Sequence, residues 1–370
     1  MIHRATYFPQ FDGLRTVAVT LVLLYHLRLP WFLNGFAGVQ MFFVLSGFLI
    51  TGILLDTVHF PHYLWIFYVR RILRIFPIYY LVLFVVSGIW LIQGKPLACT
   101  QFLANLFYCQ NFTLGLSNFK VEFPDILGHT WSLATEEQFY LLWPLLILLL
   151  KTPRRVFVAS ILLFLTGTAS RYAMAQYFHG DFICWMTLPP NLDGLGFGAL
   201  IAAYCRSDQS LMPRWKWALG AGLVCLIAYI AVGKAFLLDF PWSRELFLSE
   251  AAGRLFIFWF TVTFGLLLYA CLDKDCPLVR ILSLAPLTAI GRISYGVYLY
   301  HIPMYRFVDV HFDFFFLFGS YNSIRFFKLL FTLGLAVLSY GTIERRFLSL
   351  KKKVIYQDFS NLSGKCKDLV

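Results

Sequence analysis

The sequence predicts an all-α protein, a polytopic transmembrane bundle of about ten spans with both termini in the cytoplasm. Of its 370 residues, 59% are hydrophobic and only 14% are charged, and the mean hydropathy is +0.71. Soluble globular domains contain about 45–50% apolar and 25% charged residues, and disordered chains are poor in hydrophobic residues. The composition therefore excludes both classes. An aromatic content of 19% is typical of a membrane protein with interfacial rings.

Ten apolar segments are long enough to span a bilayer, since about 20 helical residues cross the hydrocarbon core. They fall near residues 14–34, 36–56, 72–94, 132–150, 155–175, 190–205, 214–234, 251–272, 284–304 and 323–343. Segment 190–205 is short and glycine-rich, which predicts a helix that is broken or buried against its neighbours. The apolar stretch 101–115 is too short to span, and we expect a re-entrant or interfacial segment there.

The distribution of basic residues predicts the orientation of the bundle. An even number of spans puts both termini on one side, and placing them inside leaves about two thirds of the 31 lysines and arginines in the cytoplasm. This bias explains the net charge of +12 without a nucleic-acid partner. We divide the chain into a transmembrane domain, residues 1–346, and a short basic and polar cytoplasmic tail, residues 347–370. The cysteines form no CxxC pair, and we expect no metal site.

Ionisable groups inside apolar segments are candidates for function, because burying them in lipid is costly. Arg15 and His26 are eleven residues apart, which places them on nearly the same helix face and about 16 Å apart along the axis. Asp12 lies one turn before Arg15. A neutral, buried His26 has the chemistry of a general base near neutral pH. A polar contact between helices is the alternative interpretation.

Two arginines begin the third apolar segment. Arg71 and Arg74 are three residues apart, on one helix face, and their guanidinium groups can hold phosphate in bidentate fashion. The alternative interpretation is that they only anchor the cytoplasmic end of the span.

A third cluster follows His129. Ser132, Glu136 and Tyr140 recur every four residues and therefore share a helix face. Glu136, with Glu137 beside it, lies a full turn inside the apolar run if the helix begins near Ser132. We expect a carboxylate that faces a cavity, where it orients His26 or carries a proton.

The last apolar stretches hold a fourth group of polar residues. Tyr295 and His301 continue a stripe that begins at Arg292 and includes Tyr298, for which an interfacial aromatic belt is the alternative explanation. Asp193 is a further buried acid candidate, and close helix packing explains the glycines around it.

Taken together, these stretches resemble the integral membrane acyltransferase family three, the bacterial envelope O-acyltransferases. The resemblance covers nearly the whole chain. It rests on five motifs in order, namely FDGLR at 11–15 with His26, GVQMFFVLSGFLITGILL at 38–55, FYVRRILRIFPIYYL at 67–81, WSLATEEQFYLLWPLL at 131–146 and ISYGVYLYHIP at 293–303.

The resemblance implies ten spans in the bacterial cytoplasmic membrane. It also implies transfer of an acyl group, commonly acetyl, from cytoplasmic acyl-CoA to a hydroxyl of an envelope glycan such as lipopolysaccharide O-antigen or exopolysaccharide. The family's first-span arginine and histidine correspond to Arg15 and His26, and its acidic motif to Glu136. Its arginine pair, which is linked to donor handling, corresponds to Arg71 and Arg74. Family members often carry arginine where this sequence has Asn191, two residues before Asp193.

We therefore expect an O-acetyltransferase with acetyl-CoA as donor substrate and no permanently bound cofactor. Arg71 and Arg74 would hold the CoA phosphates, His26 would deprotonate the acceptor hydroxyl, Glu136 would orient His26 or balance its charge, and Arg15 would stabilise negative charge on the donor or intermediate. An acyl-enzyme on His26 is the alternative to direct transfer. Supporting roles fall to Asp12, Ser132, Glu137, Tyr140, Asp193, Tyr295 and His301.

The rival functions are a transporter or flippase of a lipid-linked sugar and a non-catalytic scaffold of an envelope complex.

Overall fold

The computed structural model describes residues 7–95, 97–117, 125–178, 182–207, 215–239, 251–311 and 321–354. These residues form helices and connecting loops, with no strand among them. The helices are α1 (Pro9–His26), α2 (Gly38–Thr57), α3 (Tyr63–Ile92), α4 (Cys99–Leu106), α5 (Gln110–Leu116), α6 (Trp131–Leu150), α7 (Pro153–Tyr177), α8 (Ile183–Met186), α9 (Leu188–Ser207), α10 (Trp215–Asp239), α11 (Ala251–Ala270), α12 (Pro277–Leu282), α13 (Ala285–Arg292), α14 (Ser294–His311), α15 (Tyr321–Ser339) and α16 (Arg345–Lys353). The all-α prediction is confirmed for this part of the chain.

Ten of the described helices have 18 or more residues, and each overlaps one of the ten predicted segments. Five helical stretches of the described chain are long and apolar enough to cross a membrane: Gly35–Thr57, Tyr63–Ile92, Ile126–Leu150, Pro153–Tyr177 and Asn322–Lys353. Large apolar side chains such as Phe84, Ile92 and Leu149 are more than half exposed on them, as suits lipid-facing surface. The chain is an integral membrane protein, while the number of crossings and the cytoplasmic termini stay predictions.

Two predicted segments differ from the observed helices. The first was expected to run to residue 34, but α1 ends at His26, because Arg28 adopts a left-handed backbone with φ 53° and Pro30 follows in a 3-10 stretch, Pro30–Ala37. Segment 284–304 is two helices rather than one, with the break at Ile293 between α13 and α14. The predicted stripe from Arg292 to His301 is therefore interrupted, and only its part after the break lies on one helix.

Helix α9 lies between α2 and α7 and is unbroken, which resolves the prediction for segment 190–205 in favour of burial. The glycines allow this close packing. A Cβ on Gly198 would lie 2.0 Å from the Val44 carbonyl oxygen of α2, and one on Gly167 of α7 would lie 2.1 Å from the Asp193 nitrogen. Small residues at such contacts let helix backbones approach without side-chain obstruction. The short stretch 101–115 forms the short helices α4 and α5.

The C-terminal helices form one continuous element. A π-helical turn, Tyr340–Glu344, joins α15 to α16, and α16 packs against α3. The proposed boundary between residues 346 and 347 therefore falls within α16, so the beginning of the tail is helical. Residues 355–370 of the tail lie outside the described residues.

Candidate active site

Two cavities of similar size lie side by side in the bundle. The first, of about 260 Å³, is lined by Arg15, Arg71, Arg74, Glu136 and Glu137 among others, and we call it the arginine cavity. The second, of about 270 Å³, is lined by His26 and His129 among others, and we call it the histidine cavity. Val39, Phe43 and Tyr298 line both cavities and so form the wall between them.

The arginine cavity collects charged residues from three helices. Arg15 comes from α1, Arg71 and Arg74 from one face of α3, and Glu136 and Glu137 from α6. The guanidinium carbon of Arg71 lies 5.5 Å from the ring centre of Phe67 and 5.7 Å from that of Tyr140, within cation–π range. Two aromatic rings therefore flank the Arg71 guanidinium, and a planar guanidinium matches the geometry of a phosphate.

The predicted shared face of α6 is confirmed. Ser132, Glu136 and Tyr140 all line the arginine cavity, and so does Tyr295 of α14. Ser46 Oγ donates a hydrogen bond of 2.7 Å to Glu136 Oε1, while the Tyr295 hydroxyl donates to the Ile75 carbonyl oxygen at 2.9 Å. Tyr295 therefore ties α14 to α3 beside the two arginines of that helix.

Asp12 orients Arg15. Arg15 Nη1 lies 2.5 Å from Asp12 Oδ1, and the Tyr7 hydroxyl donates to Asp12 Oδ2 at 2.7 Å. Burial, and then this hydrogen bond, raises the pKa of the Tyr7 phenol, so Tyr7 remains a donor. With both carboxylate oxygens engaged, Asp12 is a positioning residue that holds Arg15 at the cavity.

Helix α16 adds a basic residue that the sequence analysis assigned only to a polar tail. Lys351 is close enough to Arg15, Arg70, Arg71 and Arg74 to experience their repulsion. Arg70 Nη1 donates to the carbonyl oxygens of Val354, at 2.5 Å, and Lys351, at 3.4 Å. This end of the bundle therefore concentrates basic side chains from the first, third and last described helices. Arg15 of α1 and Lys351 of α16 therefore lie at the same end of the bundle.

His26 is held in one tautomer by backbone oxygen. Its Nδ1 lies 2.9 Å from the Val22 carbonyl oxygen, and a carbonyl oxygen can only accept. In the neutral ring Nδ1 therefore carries the proton and Nε2 carries the lone pair. The same logic applies to His301, whose Nδ1 lies 2.5 Å from the Tyr298 carbonyl oxygen. His301 Nε2 is thus an acceptor, and it lies 3.3 Å from His26 Nδ1.

A third histidine, which we did not include among the candidate site residues, joins this pair. The His129 and His301 rings are 4.7 Å apart between centroids, and His129 Nε2 donates to the Leu299 carbonyl oxygen at 3.2 Å. In the sequence, the feature that pointed to His129 was its position just before the motif WSLATEE at 131–137. Within the described residues, no three His, Cys, Asp or Glu side chains are arranged to hold a metal ion.

The described contacts do not join Glu136 to His26, so the expected role of Glu136 in orienting His26 or carrying a proton stays a prediction. Glu136 lines the arginine cavity and accepts from Ser46, whereas His26 lines the histidine cavity and contacts His301. Eleven residues place Arg15 and His26 on nearly the same face of α1 but about 16 Å apart along its axis. Glu136 lines the same cavity as Arg15. The described contacts of His26 Nδ1 are with the Val22 carbonyl oxygen and with His301 Nε2.

The Tyr298 hydroxyl forms hydrogen bonds with residues of both cavities. Its hydroxyl donates to the His129 carbonyl oxygen at 2.8 Å, so it accepts from Ser132 Oγ at 2.6 Å. The chain of hydrogen bonds runs from Ser132 in the arginine cavity to the backbone of His129 in the histidine cavity. It fixes the tyrosine ring in the wall.

Asp193 is not a cavity acid. Arg171 of α7 donates to Asp193 Oδ2 through Nε at 2.9 Å and Nη2 at 2.8 Å, and both side chains are almost completely buried. The basic partner of Asp193 in this chain therefore comes from the neighbouring helix α7. Asn191 instead donates to the carbonyl oxygens of Trp185 and Thr187. Asp193 thus joins α9 to α7, and it also hydrogen-bonds to Gln40 of the histidine cavity, so its supporting role stays a prediction.

Comparison with known proteins supports the family assignment. Residues 8–341 match the family described as "Acyltransferase domain". The chain is 32% identical to the peptidoglycan O-acetyltransferase OatA of Listeria monocytogenes over 80% of this chain and 49% of that protein. It is 29% identical to the O-acetyltransferase OatA of Staphylococcus aureus over 83% of this chain and 52% of that protein. The chain spans about half the length of these curated relatives, and no solved structure matches it.

The five motifs, the arginine cavity and the histidine pair all fall inside the matched residues 8–341. The chain therefore belongs to acyltransferase family three.

Proposed function

We propose that this protein is a membrane O-acetyltransferase that moves an acetyl group from acetyl-CoA to a hydroxyl of a cell-wall glycan. The observation that carries this proposal is the pair of adjoining cavities. One concentrates arginines that suit an anionic donor, the other holds a histidine with a basic Nε2, and they share a wall at Tyr298. Group transfer between two substrates needs this arrangement, because both must reach one point in a fixed orientation.

The arginine cavity suits the CoA part of the donor. CoA carries several phosphate charges, and planar guanidinium groups bind phosphate oxygens in pairs. Arg71 and Arg74 face the cavity from one helix turn, and Arg15 faces it from α1. Lys351 adds a basic side chain from α16, close to the same arginines. Bound phosphate would relieve the mutual repulsion of these groups. We propose that this end of the bundle faces the cytoplasm, where acetyl-CoA is made.

His26 serves as the general base. Its Nε2 takes the proton of the acceptor hydroxyl, the hydroxyl oxygen forms a bond to the thioester carbon, and the carbon–sulfur bond breaks. The thiolate of CoA leaves and recovers a proton from the His26 imidazolium. His301 accepts from Nδ1–H and so stabilises the positive charge that develops on His26. In the variant route, His26 Nε2 bonds to the thioester carbon, the carbon–sulfur bond breaks and the CoA thiolate leaves. The acceptor hydroxyl then bonds to the acetyl carbon, the carbon–nitrogen bond to His26 breaks, and the hydroxyl proton passes to the thiolate.

Arg15 and Glu136 act on the donor rather than on the reacting hydroxyl. About 16 Å of helix axis separates Arg15 from His26, and Glu136 shares the cavity of Arg15. We assign Arg15 to the phosphates. Glu136 and Glu137 lie close enough to Arg71 to interact with it electrostatically.

Peptidoglycan is the acceptor that the relatives favour. The Listeria relative is named a peptidoglycan O-acetyltransferase, which replaces lipopolysaccharide O-antigen and exopolysaccharide as the first acceptor to test. Peptidoglycan lies outside the cytoplasmic membrane, so an enzyme embedded in that membrane would take donor from one face and acceptor from the other.

The test uses the full chain purified into lipid nanodiscs with acetyl-CoA labelled in the acetyl group. We expect label in a base-labile ester on soluble peptidoglycan fragments, with one equivalent of free CoA thiol released per ester formed. If folded protein binds no acetyl-CoA and labels neither peptidoglycan nor any other envelope glycan, the proposal is refuted. Transport of an unmodified lipid-linked sugar by the same preparation would then favour the flippase.

A further inference from the structure

Helix α16 has two faces with different surroundings. Three of its residues, Phe347, Leu348 and Lys351, are half-buried, and the helix packs against α3. The other six are exposed, and we call them the basic face: Arg345, Arg346, Ser349, Leu350, Lys352 and Lys353. With 3.6 residues per turn these six positions fall within one arc of about 160°. Four of the six are basic, and α16 contains no acidic residue.

The four basic side chains of this face have no acidic partner among the described residues. The ion pairs in this part of the chain involve Arg15, Arg171, Arg206 and Lys328 instead. The positive charge of the basic face is therefore not balanced within the described protein, and it can attract an anionic partner from outside.

The length of the last apolar stretch indicates the depth of the basic face in the membrane. Asn322–Lys353 has 32 residues, which is about 48 Å of helix, whereas the hydrocarbon core is about 30 Å thick. About twelve residues therefore extend beyond the hydrocarbon. The exposed apolar residues of this stretch, such as Phe326 and Val337, lie on α15, so the excess length is at α16. Arg345 follows Val337 by eight residues, a spacing that keeps both on one side of a helix.

Helix α3 indicates the same depth. Trp65, near its start, is 70% exposed, and exposed tryptophans are enriched at the membrane–water interface. Arg70 lies five residues further along α3, about 7.5 Å of helix, and donates to the carbonyl oxygens of Lys351 and Val354. The C-terminal end of α16 therefore lies close to the interface, at the level of the lipid headgroups.

We infer that the basic face of α16 binds the headgroups of anionic phospholipids in the leaflet at this end of the bundle. The phosphates of these lipids supply the missing negative charge, and basic clusters next to a membrane-spanning helix bind such lipids. Leu350 and the aliphatic stems of the lysines can lie along the acyl chains, while the charged ends reach the phosphates. Lys351 lies on the opposite side of α16, close to the arginines of the donor cavity. The inference therefore does not depend on the proposed acetyl transfer.

The test variant removes the charge of the basic face and keeps its residues polar. It combines Arg345→Gln, Arg346→Gln, Lys352→Gln and Lys353→Gln. We would measure the melting temperature of the full chain in nanodiscs of phosphatidylcholine, with and without phosphatidylglycerol. Native mass spectrometry with dioctanoyl-phosphatidylglycerol gives the Kd for the lipid, and dioctanoyl-phosphatidylcholine serves as the neutral lipid.

The matched control neutralises Lys151, Arg154 and Arg155 by the same change to glutamine. These three basic residues are also exposed, and they follow the end of α6. That end lies beside the start of α3, because the Tyr63 hydroxyl donates to the Pro144 carbonyl oxygen at 3.1 Å. The control therefore removes charge at the same end of the bundle but away from α16.

We expect phosphatidylglycerol to raise the melting temperature of the wild type and the control, because a ligand that binds only the folded state stabilises it. High salt should abolish this rise, since exposed charges are screened. In the α16 variant the rise should disappear and the Kd for dioctanoyl-phosphatidylglycerol should increase about tenfold or more, with an unchanged melting temperature in phosphatidylcholine alone. An equal response to phosphatidylglycerol in wild type and α16 variant, or an equal loss in the control, would overturn the inference. A wild type that does not respond to phosphatidylglycerol would also overturn it and would favour an acidic protein partner.

Discussion

His301 Nε2 lies 3.3 Å from His26 Nδ1, and the Tyr298 carbonyl oxygen lies 2.5 Å from the other nitrogen of His301. These contacts form a relay in which each ring nitrogen has a defined role. The Tyr298 carbonyl accepts from His301, and His301 accepts from His26. In this arrangement the free lone pair is on His26 Nε2. His26 lines a cavity of about 270 Å³. We propose that His301 orients His26 here, as a carboxylate orients the histidine of a triad.

The first prediction concerns this relay. His301→Leu should lower kcat about 10- to 100-fold, the usual effect of removing an orienting partner, while both KM values stay within about twofold. His301→Gln should recover part of kcat, because the Gln side chain offers an acceptor oxygen near the position of Nε2. The control is His311→Leu, an exposed histidine on the same helix. Steady-state kinetics with labelled acetyl-CoA measure each value. Equal kcat in His301→Leu and wild type would remove His301 from the mechanism.

The second prediction separates phosphate binding from topology. The double change Arg71→Lys with Arg74→Lys keeps both positive charges but loses bidentate geometry. We expect the acetyl-CoA KM to rise roughly 10- to 100-fold, on the scale of losing one charge-assisted hydrogen bond. Membrane insertion should be normal. Arg154→Lys with Arg155→Lys, two exposed arginines at the start of α7, should have no effect. A normal acetyl-CoA KM in the Arg71 and Arg74 variant would show that these residues only anchor the span.

A third prediction tests the contribution of α16. Lys351→Glu reverses one charge beside Arg70, Arg71 and Arg74. A change of about 1 kcal/mol in donor binding is expected for such a charge at moderate dielectric, which raises the acetyl-CoA Kd about fivefold. Lys353→Glu, on the exposed side of the same helix, is the control. Equilibrium binding in nanodiscs measures both, and equal donor affinity in the two variants would exclude Lys351 from the donor site.

Asp193 should prove structural. Asp193→Asn leaves Arg171 charged and buried without its carboxylate, which costs roughly 3–5 kcal/mol of stability. Replacing both residues, Arg171→Met with Asp193→Leu, should restore most of that loss. Thermal denaturation in detergent measures the two stabilities. The double variant should also retain transfer activity, and a stable but inactive double variant would return Asp193 to the chemistry.

Sequence reasoning succeeded where the relationship between residues is local. The four-residue repeat of Ser132, Glu136 and Tyr140 predicted one face, and all three line one cavity. The spacing of Arg71 and Arg74 did the same for α3. Helical periodicity alone determines such faces, so no knowledge of the tertiary fold is needed.

It failed where partners come from distant helices. Glu136 was paired with His26 because both are buried and ionisable, yet packing places them in different cavities. The partner of Asp193 is Arg171, and that of His26 is His301, 275 residues away in sequence. Neither pairing leaves a periodic signal. Lys351 resembled a solvated tail because its neighbours are basic, and only the π-helical turn at Tyr340–Glu344 and the packing of α16 on α3 place it near the arginines.

The central claim is that the donor binds in one cavity while His26 reacts in the other. The most direct measurement compares wild type and His26→Ala in nanodiscs, with acetyl-CoA binding and ester formation on peptidoglycan fragments measured on the same samples. We predict an unchanged acetyl-CoA Kd and a loss of ester formation of at least about 100-fold, the scale of general-base catalysis. Normal ester formation by folded His26→Ala protein would contradict the account.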